Sequence, residues 1–248
     1  MTPLVAILAV LTGVVMGLLG GGGSIMAVTT LTYVAGQDPK VAIATSLLVV
    51  GVTALFATIQ YARNGNIEWR TGFIFSVAAM AGGYLGGKSA VWFDGSTLLV
   101  LFAVMMAIAG VAMVRPRKAL KPREVALPTW VIVIEGIVVG YATGLVGAGG
   151  GFLVIPALVL LGGMQMHKAV GTGLLVISMK SIAAFGGHIQ HVDVDWQFAA
   201  VATFLAMVGS FFGTRLSSKV PASKLKRGFG WFVLCMAGLI VAKEMGVI

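Results

Sequence analysis

Apolar residues come in long blocks along this chain, and polar residues gather in the short gaps between them. The blocks run at about 4–19, 24–36, 41–61, 70–92 and 96–114, then 129–147, 152–163, 168–187, 196–214 and 228–244. Neither a period of two nor a one-faced helical stripe organises them, so the pattern predicts helices apolar on every side. Such helices are buried in a large core or in a bilayer. A spanning helix needs about 20 residues. The 24–36 and 152–163 blocks fall short of that and read as half-helices, re-entrant segments or the far side of a broken helix.

Composition settles the environment. Hydrophobic residues are 58% of the 248 positions and charged residues 10%. A soluble domain runs near 25% charged, so this chain cannot cover a water-facing surface. It reads as an all-α polytopic membrane protein. The net charge of +9 would suggest nucleic acid in a soluble protein, but its distribution gives another account. Five cations lie in 115–123 and five in 215–227. Cytoplasmic connections carry excess Lys and Arg, so both loops are placed inside, where anionic lipid headgroups also suit them. The segment 188–196, with Asp193 and Asp195 and no Lys or Arg, is placed outside. No basic region precedes the first apolar block and no A-x-A site follows it, so a cleaved signal peptide is not expected.

The chain repeats itself. GLLGGGG at 17–23 matches GLVGAGG at 144–150, an offset of 127 residues that persists without a gap. Ala42 and Thr45 fall on Ala169 and Thr172, Trp69 on Trp196, and Gly82 and Gly86 on Gly209 and Gly213. Paired connections carry opposite charge: 62–70 holds Arg63 and Arg70, while its mate 189–197 is acidic. Opposite charge implies that the halves are inverted. The expected organisation is a first repeat over 1–114, a basic linker over 115–128 and a second repeat over 129–248, together one membrane domain. Inversion needs an odd number of crossings per half; three and five both stay open.

Four consecutive glycines do not stabilise a helix, since each costs roughly 1 kcal/mol against Ala. A helix broken at membrane depth frees backbone groups that need protein or a water-filled cavity around them. The N-terminus of the following half-helix then offers unpaired N–H groups and a dipole end of about half a positive charge to an anion. This points to substrate binding by Gly20, Gly21, Gly22, Gly23 and Ser24 in the first half and by Gly147, Gly149, Gly150 and Gly151 in the second. Thr45, Ser46 and Thr172 add hydroxyls. Gly82, Gly83, Gly86 and Gly87 read instead as packing residues.

Charges inside apolar blocks are costly and mark pathways by default. Lys180 lies about mid-block and could hold an anion or carry a proton; Glu135, nearer a block end, is the second proton-coupling candidate. A structural Lys180–Glu135 pair is the bland alternative. Gln60, Tyr61 and Arg63 read as interfacial anchors. His188 and His191 sit beside Asp193 and Asp195, but no second His cluster supports a metal site, and no metal or cofactor is expected. One Cys excludes an intramolecular disulfide. The glycine runs lack a following Lys-Ser/Thr, and no catalytic constellation is present, so neither an ATP-driven pump nor an enzyme is expected.

The chain resembles the TauE/SafE family of sulfite exporters. The residues carrying the resemblance are Gly17 to Ser24 with Ala44 to Leu47, and Gly144 to Gly151 with Pro156 and Val170 to Leu174. The second copy carries Gly173 where the first has Ser46. The resemblance implies a small multi-pass permease of the cytoplasmic membrane, exporting sulfite or an organosulfur anion such as a sulfonate. With the repeat, this gives alternating access around two Gly-rich breaks. A passive anion channel and a non-transport membrane scaffold stay open as alternatives. The expected partners are the small anion and membrane lipids, with no nucleic acid; the oligomeric state is open, a homodimer included.

Overall fold

The computed structural model describes residues 2–89, 92, 95–115, 128–146, 151–188 and 193–244. Ten α-helices cover them: α1 Pro3–Leu19, α2 Gly23–Thr29, α3 Pro39–Arg63, α4 Trp69–Ser89, α5 Gly95–Val114, α6 Thr129–Val146, α7 Gly151–Leu160, α8 Met166–His188, α9 Trp196–Lys219 and α10 Ala222–Glu244. A π-helical turn, Thr30–Val34, extends α2. No strand occurs among the described residues. Each predicted block contains one of these helices, with ends shifted by a few residues.

Local chemistry sets several helix ends. Pro39 opens α3, and the Asp38 carboxylate accepts from the Lys40 N–H at 2.9 Å. The Asp195 carboxylate does the same for α9, accepting from the Phe198 N–H at 3.0 Å. Side-chain oxygens at this position satisfy amides the helix leaves unpaired. The acid read as part of an acidic outer loop is therefore also the cap of the helix that follows. At the other end of α1, Gly20 takes φ 78°, a conformation open to glycine, and its N–H donates to the Met16 carbonyl at 2.7 Å.

Three helices are long and apolar enough to cross a membrane: Lys40–Arg63, Met166–Gly186 and Trp196–Lys219. Large apolar side chains cover the outside of the bundle, among them Ile7, Phe73, Ile108, Val138 and Phe204. The inside holds many small and hydroxylated residues, including Thr12, Thr53, Ser76, Ser178 and Ser210. This arrangement suits a lipid surround, where bulky apolar groups face hydrocarbon and small residues let helices meet. Trp69, Trp92, Trp130, Trp196 and Trp231 are all exposed, and the first four lie at or beside helix ends, as in an interfacial belt.

Two helix pairs, α1 with α9 and α4 with α6, make the closest backbone contacts. A Cβ on Gly13 would run into the Ala206 carbonyl, and one on Gly17 into that of Ser210. From the other side, Gly209 faces the Val10 carbonyl and Gly213 that of Val14. In the second pair, Gly140 faces Ala79, Gly144 faces Gly83, Gly82 faces Ile137 and Gly86 faces Tyr141. Adding 127 to a residue number converts each contact of the first pair involving α1 into one of the second; subtracting 127 does so for α9. Both pairs are parallel. By contrast α3 and α8 are antiparallel, with Gly51 against Ile182 and Gly171 against Tyr61. Gly82 and Gly86 thus have the packing role read from their spacing, whereas Gly83 and Gly87 have looser surroundings.

These directions sort the bundle into two ends. Arg63, Arg70, Lys168, Arg215, Lys219 and Lys224 lie at one; Asp38, Asp193 and Asp195 lie at the other. At the basic end Arg70 donates to the Thr129 hydroxyl at 2.8 Å, joining the starts of α4 and α6.

A small cavity of about 20 Å³ lies between α1, α2, α3 and α9, lined by Val5, Thr12, Ala27, Leu31, Val49 and Ala202 with Ala9 and Thr30. The corresponding positions in the other half are Ile132, Val139, Val154, Leu158, Val176 and Phe75. All six belong to one packed cluster. Phe75 fills the second half where Ala202 leaves space in the first.

The glycine contacts make a direct prediction. Gly140→Ala puts a Cβ 2.7 Å from the Ala79 Cα and should cost about 1–3 kcal/mol as an overpacked site. Gly228→Ala, with nothing within 4 Å of the new Cβ, should be neutral or slightly stabilising. Thermal unfolding in detergent compares the two; equal melting temperatures would remove the close-packing account.

Candidate functional site

The two glycine-rich segments meet. A Cβ on Gly21 would touch the Gly151 backbone and stand 2.8 Å from the Phe152 Cα. Ser24, in the first turn of α2, is the repeat mate of Gly151, and its Oγ lies 3.4 Å from a Cβ placed there. The N-terminal ends of α2 and α7 therefore abut deep in the bundle. The Ser24 hydroxyl donates to the Gly21 carbonyl at 3.1 Å.

The remaining glycines of the first run are walled in. Gly20 faces Ile155 and Val170, Gly22 faces the Phe232 ring and Val15, and Gly23 faces Met16 and the Thr12 carbonyl. Their common property is close approach of backbone to neighbouring helices. Gly147, Gly149 and Gly150 lie outside the described residues.

The hydroxyl candidates have different surroundings. Ser46 donates back to the Ile43 carbonyl at 2.7 Å. Thr172 accepts from the Glu68 N–H at 3.0 Å, which ties the α3–α4 connection to α8. Its mate Thr45 is equally buried, yet its Oγ1 makes no hydrogen bond among the described residues. A buried hydroxyl without a partner costs free energy, and orphaned groups of this kind repeatedly mark strain or function.

Lys180 does not pair with Glu135. Its Nζ donates instead to the Thr143 hydroxyl at 3.1 Å, on the part of α6 that leads into the second glycine run. Glu135 is buried at 9% exposure, and its Oε2 has no partner among the described residues. The two charges share a seam. Ile132 and Val139, which flank Glu135 at helical spacing, pack against α7 and α8 beside Ala169 and Val176. Glu135 and Thr143 are eight residues apart on one helix, about 12 Å.

Tyr61 is not an interfacial anchor. It is 2% exposed; its hydroxyl donates to the Gly17 carbonyl at 3.0 Å and lies 2.8 Å from Ser217 Oγ. Beside it, His167 Nε2 lies 3.0 Å from the Ser217 carbonyl. Lys168 pairs with Glu68 at 3.6 Å. The sequence held one signal for Tyr61: it continues the buried stripe Val50, Ala54 and Ala57 at helical spacing. Ser217, His167 and Glu68 carried no comparable signal. Among the described residues no group of His, Cys, Asp or Glu could hold a metal ion.

Comparison with known proteins decides the family. The model of the family described as "Sulfite exporter TauE/SafE" matches residues 5–240. The chain belongs to the TauE/SafE family. A "Probable membrane transporter protein" of Xylella fastidiosa is 36% identical over 239 residues, covering 93% of this chain and 91% of that protein. The Bacillus subtilis "Probable membrane transporter protein YunE" is 28% identical, covering 88% and 87%. No solved structure matches. This is a family of membrane transporters, not of enzymes.

The threonine mates give the next test. Thr172→Val leaves the Glu68 N–H without its acceptor and should cost about 1 kcal/mol. Thr45→Val removes a hydroxyl that bonds to nothing described and should cost less than about 0.5 kcal/mol. Thermal melts in detergent should rank them in that order, and the reverse order would show that Thr45 is the bonded one.

Proposed function

We propose that this chain is a secondary transporter exporting a small anion, sulfite or an organosulfur anion such as a sulfonate, across the cytoplasmic membrane. One observation carries the reading: the N-terminal ends of α2 and α7 abut at Gly21 and Gly151. Helix N-termini favour negative charge, and two of them at one place suit an anion better than any cation or neutral solute. Lys180, on α8 beside the end of α6, adds a positive charge near the second glycine run. The family's printed description, sulfite exporter, supports the substrate class.

The mechanism in this reading is alternating access by two inverted halves. Two features support it. The glycine contacts of α1 with α9 recur between α6 and α4, and the repeat mates α3 and α8 run antiparallel. The basic end, with Arg63, Arg70, Arg215 and Lys219, is the cytoplasmic one in this scheme. Export coupled to protons would use Glu135, whose carboxylate is buried without a cationic partner, with Lys180 holding the anion.

Flux into proteoliposomes tests the reading. Sulfite or a sulfonate should cross, and a counter-substrate on the far side should accelerate it; a channel would show no such acceleration. Gly22→Ala, Thr45→Ala, Thr172→Ala and Lys180→Met should each slow flux, Lys180→Met by tenfold or more. Normal flux in all four variants removes the proposed site. Glu135→Gln should abolish flux driven by a pH gradient while leaving anion exchange intact; equal loss of both would take the proton from Glu135.

A further inference from the structure

The two ends of the bundle are not equivalent in their hydrogen bonding, although the repeat makes their backbones correspond. At the basic end four elements are tied together. Tyr61 at the end of α3 binds the Gly17 carbonyl of α1 and reaches Ser217 of α9. His167 at the start of α8 meets the Ser217 carbonyl. The α3–α4 connection is held by the Glu68 N–H on Thr172 and by Lys168 on the Glu68 carboxylate. It also packs tightly, since a Cβ on Gly171 would strike the Asn66 carbonyl.

The corresponding positions at the acidic end cannot make the same set. Val41 stands where Lys168 does, and Ala90 where Ser217 does. Asp195, the mate of Glu68, uses its carboxylate to cap α9. Thr45, the mate of Thr172, makes no hydrogen bond among the described residues. Tyr61 matters most in this comparison. It is the one side chain here that touches both α1 and α9 while belonging to a third helix, so α3 cannot move away from that pair without losing both contacts.

We propose that Tyr61, with Ser217, His167, Glu68 and Lys168, forms a latch that holds the basic end shut, and that the structure is the conformer closed on that side. Opening toward the basic end then requires the Tyr61 and Glu68 contacts to break together. The inference rests on the transport reading for its purpose, but its geometry stands without it. Tyr61 acts here as a positioning residue and never touches the anion.

Site-directed labelling tests it. Cys235, the exposed free cysteine, is replaced by Ser, and Ser24→Cys, deep between the glycine segments, becomes the reporter. A membrane-impermeant maleimide is applied to vesicles from the basic side or the acidic side. With Tyr61 in place, labelling from the basic side should be slow. Tyr61→Phe should accelerate it about tenfold, the scale of losing one or two buried hydrogen bonds, with no gain from the acidic side. Glu68→Gln should act in the same direction and carries the test if Tyr61→Phe does not fold. Unchanged basic-side labelling in the folded variants, or a gain confined to the acidic side, overturns the latch. The readout needs no substrate. Latch-dependent labelling without any anion flux would therefore retire the transport reading and keep the latch.

Discussion

Everything in this bundle depends on how closely two backbones can approach in the absence of water. Between helices in lipid the hydrophobic effect supplies no attraction, because the hydrocarbon tails are as apolar as the side chains. What remains is contact itself. Gly13, Gly17, Gly209 and Gly213 allow α1 and α9 to meet carbonyl to Cα, and Gly82, Gly86, Gly140 and Gly144 do the same for α4 and α6. Weak Cα–H···O interactions and dense packing then hold the pairs. The two pairs form rigid units against which α3 and α8 lie, and the glycine segments are positioned by what those units leave between them.

Much of this was legible before any coordinates. Apolar block length located the helices, because only a lipid surround lets a chain dispense with a polar face. The 127-residue register located the glycine pairs, because a contact needing no side chain must be repeated wherever the contact is repeated. The site was less legible. Gly20 to Gly23 announce a departure from helix, but whether the space around them is open or walled depends on Phe232, Met16 and Ile155, which come from distant parts of the chain. Thr45 and Thr172 look interchangeable as letters. They differ because the partner of Thr172 is a backbone N–H, and backbone groups leave no trace in a side-chain pattern. Tyr61 was misplaced for a related reason: a tyrosine near a helix end beside an arginine has the composition of an interfacial anchor, and burial by α1 and α9 overrode it.

Lys180 and Glu135 show how polar groups are managed at this depth. They lie along one seam yet do not neutralise each other. The lysine is met by a threonine, and one carboxylate oxygen is met by nothing described. A structural ion pair would have been the cheaper arrangement for stability alone. Separate placement keeps both charges available to something that comes and goes, at the cost of a less stable seam.

The cavity beside Ala202 bears on the history of the chain. A duplicated gene begins with two identical halves, and an identical half would carry the same residue at positions 75 and 202. Here one position holds Phe, whose ring completes a packed cluster, and the other holds Ala, which leaves about 20 Å³ unfilled. The halves are therefore no longer exchangeable parts. A chain assembled from two copies of the first half would be hollow at both places, and one assembled from two copies of the second would be solid at both. The native protein combines a compressible half with an incompressible one, so applied pressure would act unequally on two units that share one ancestry.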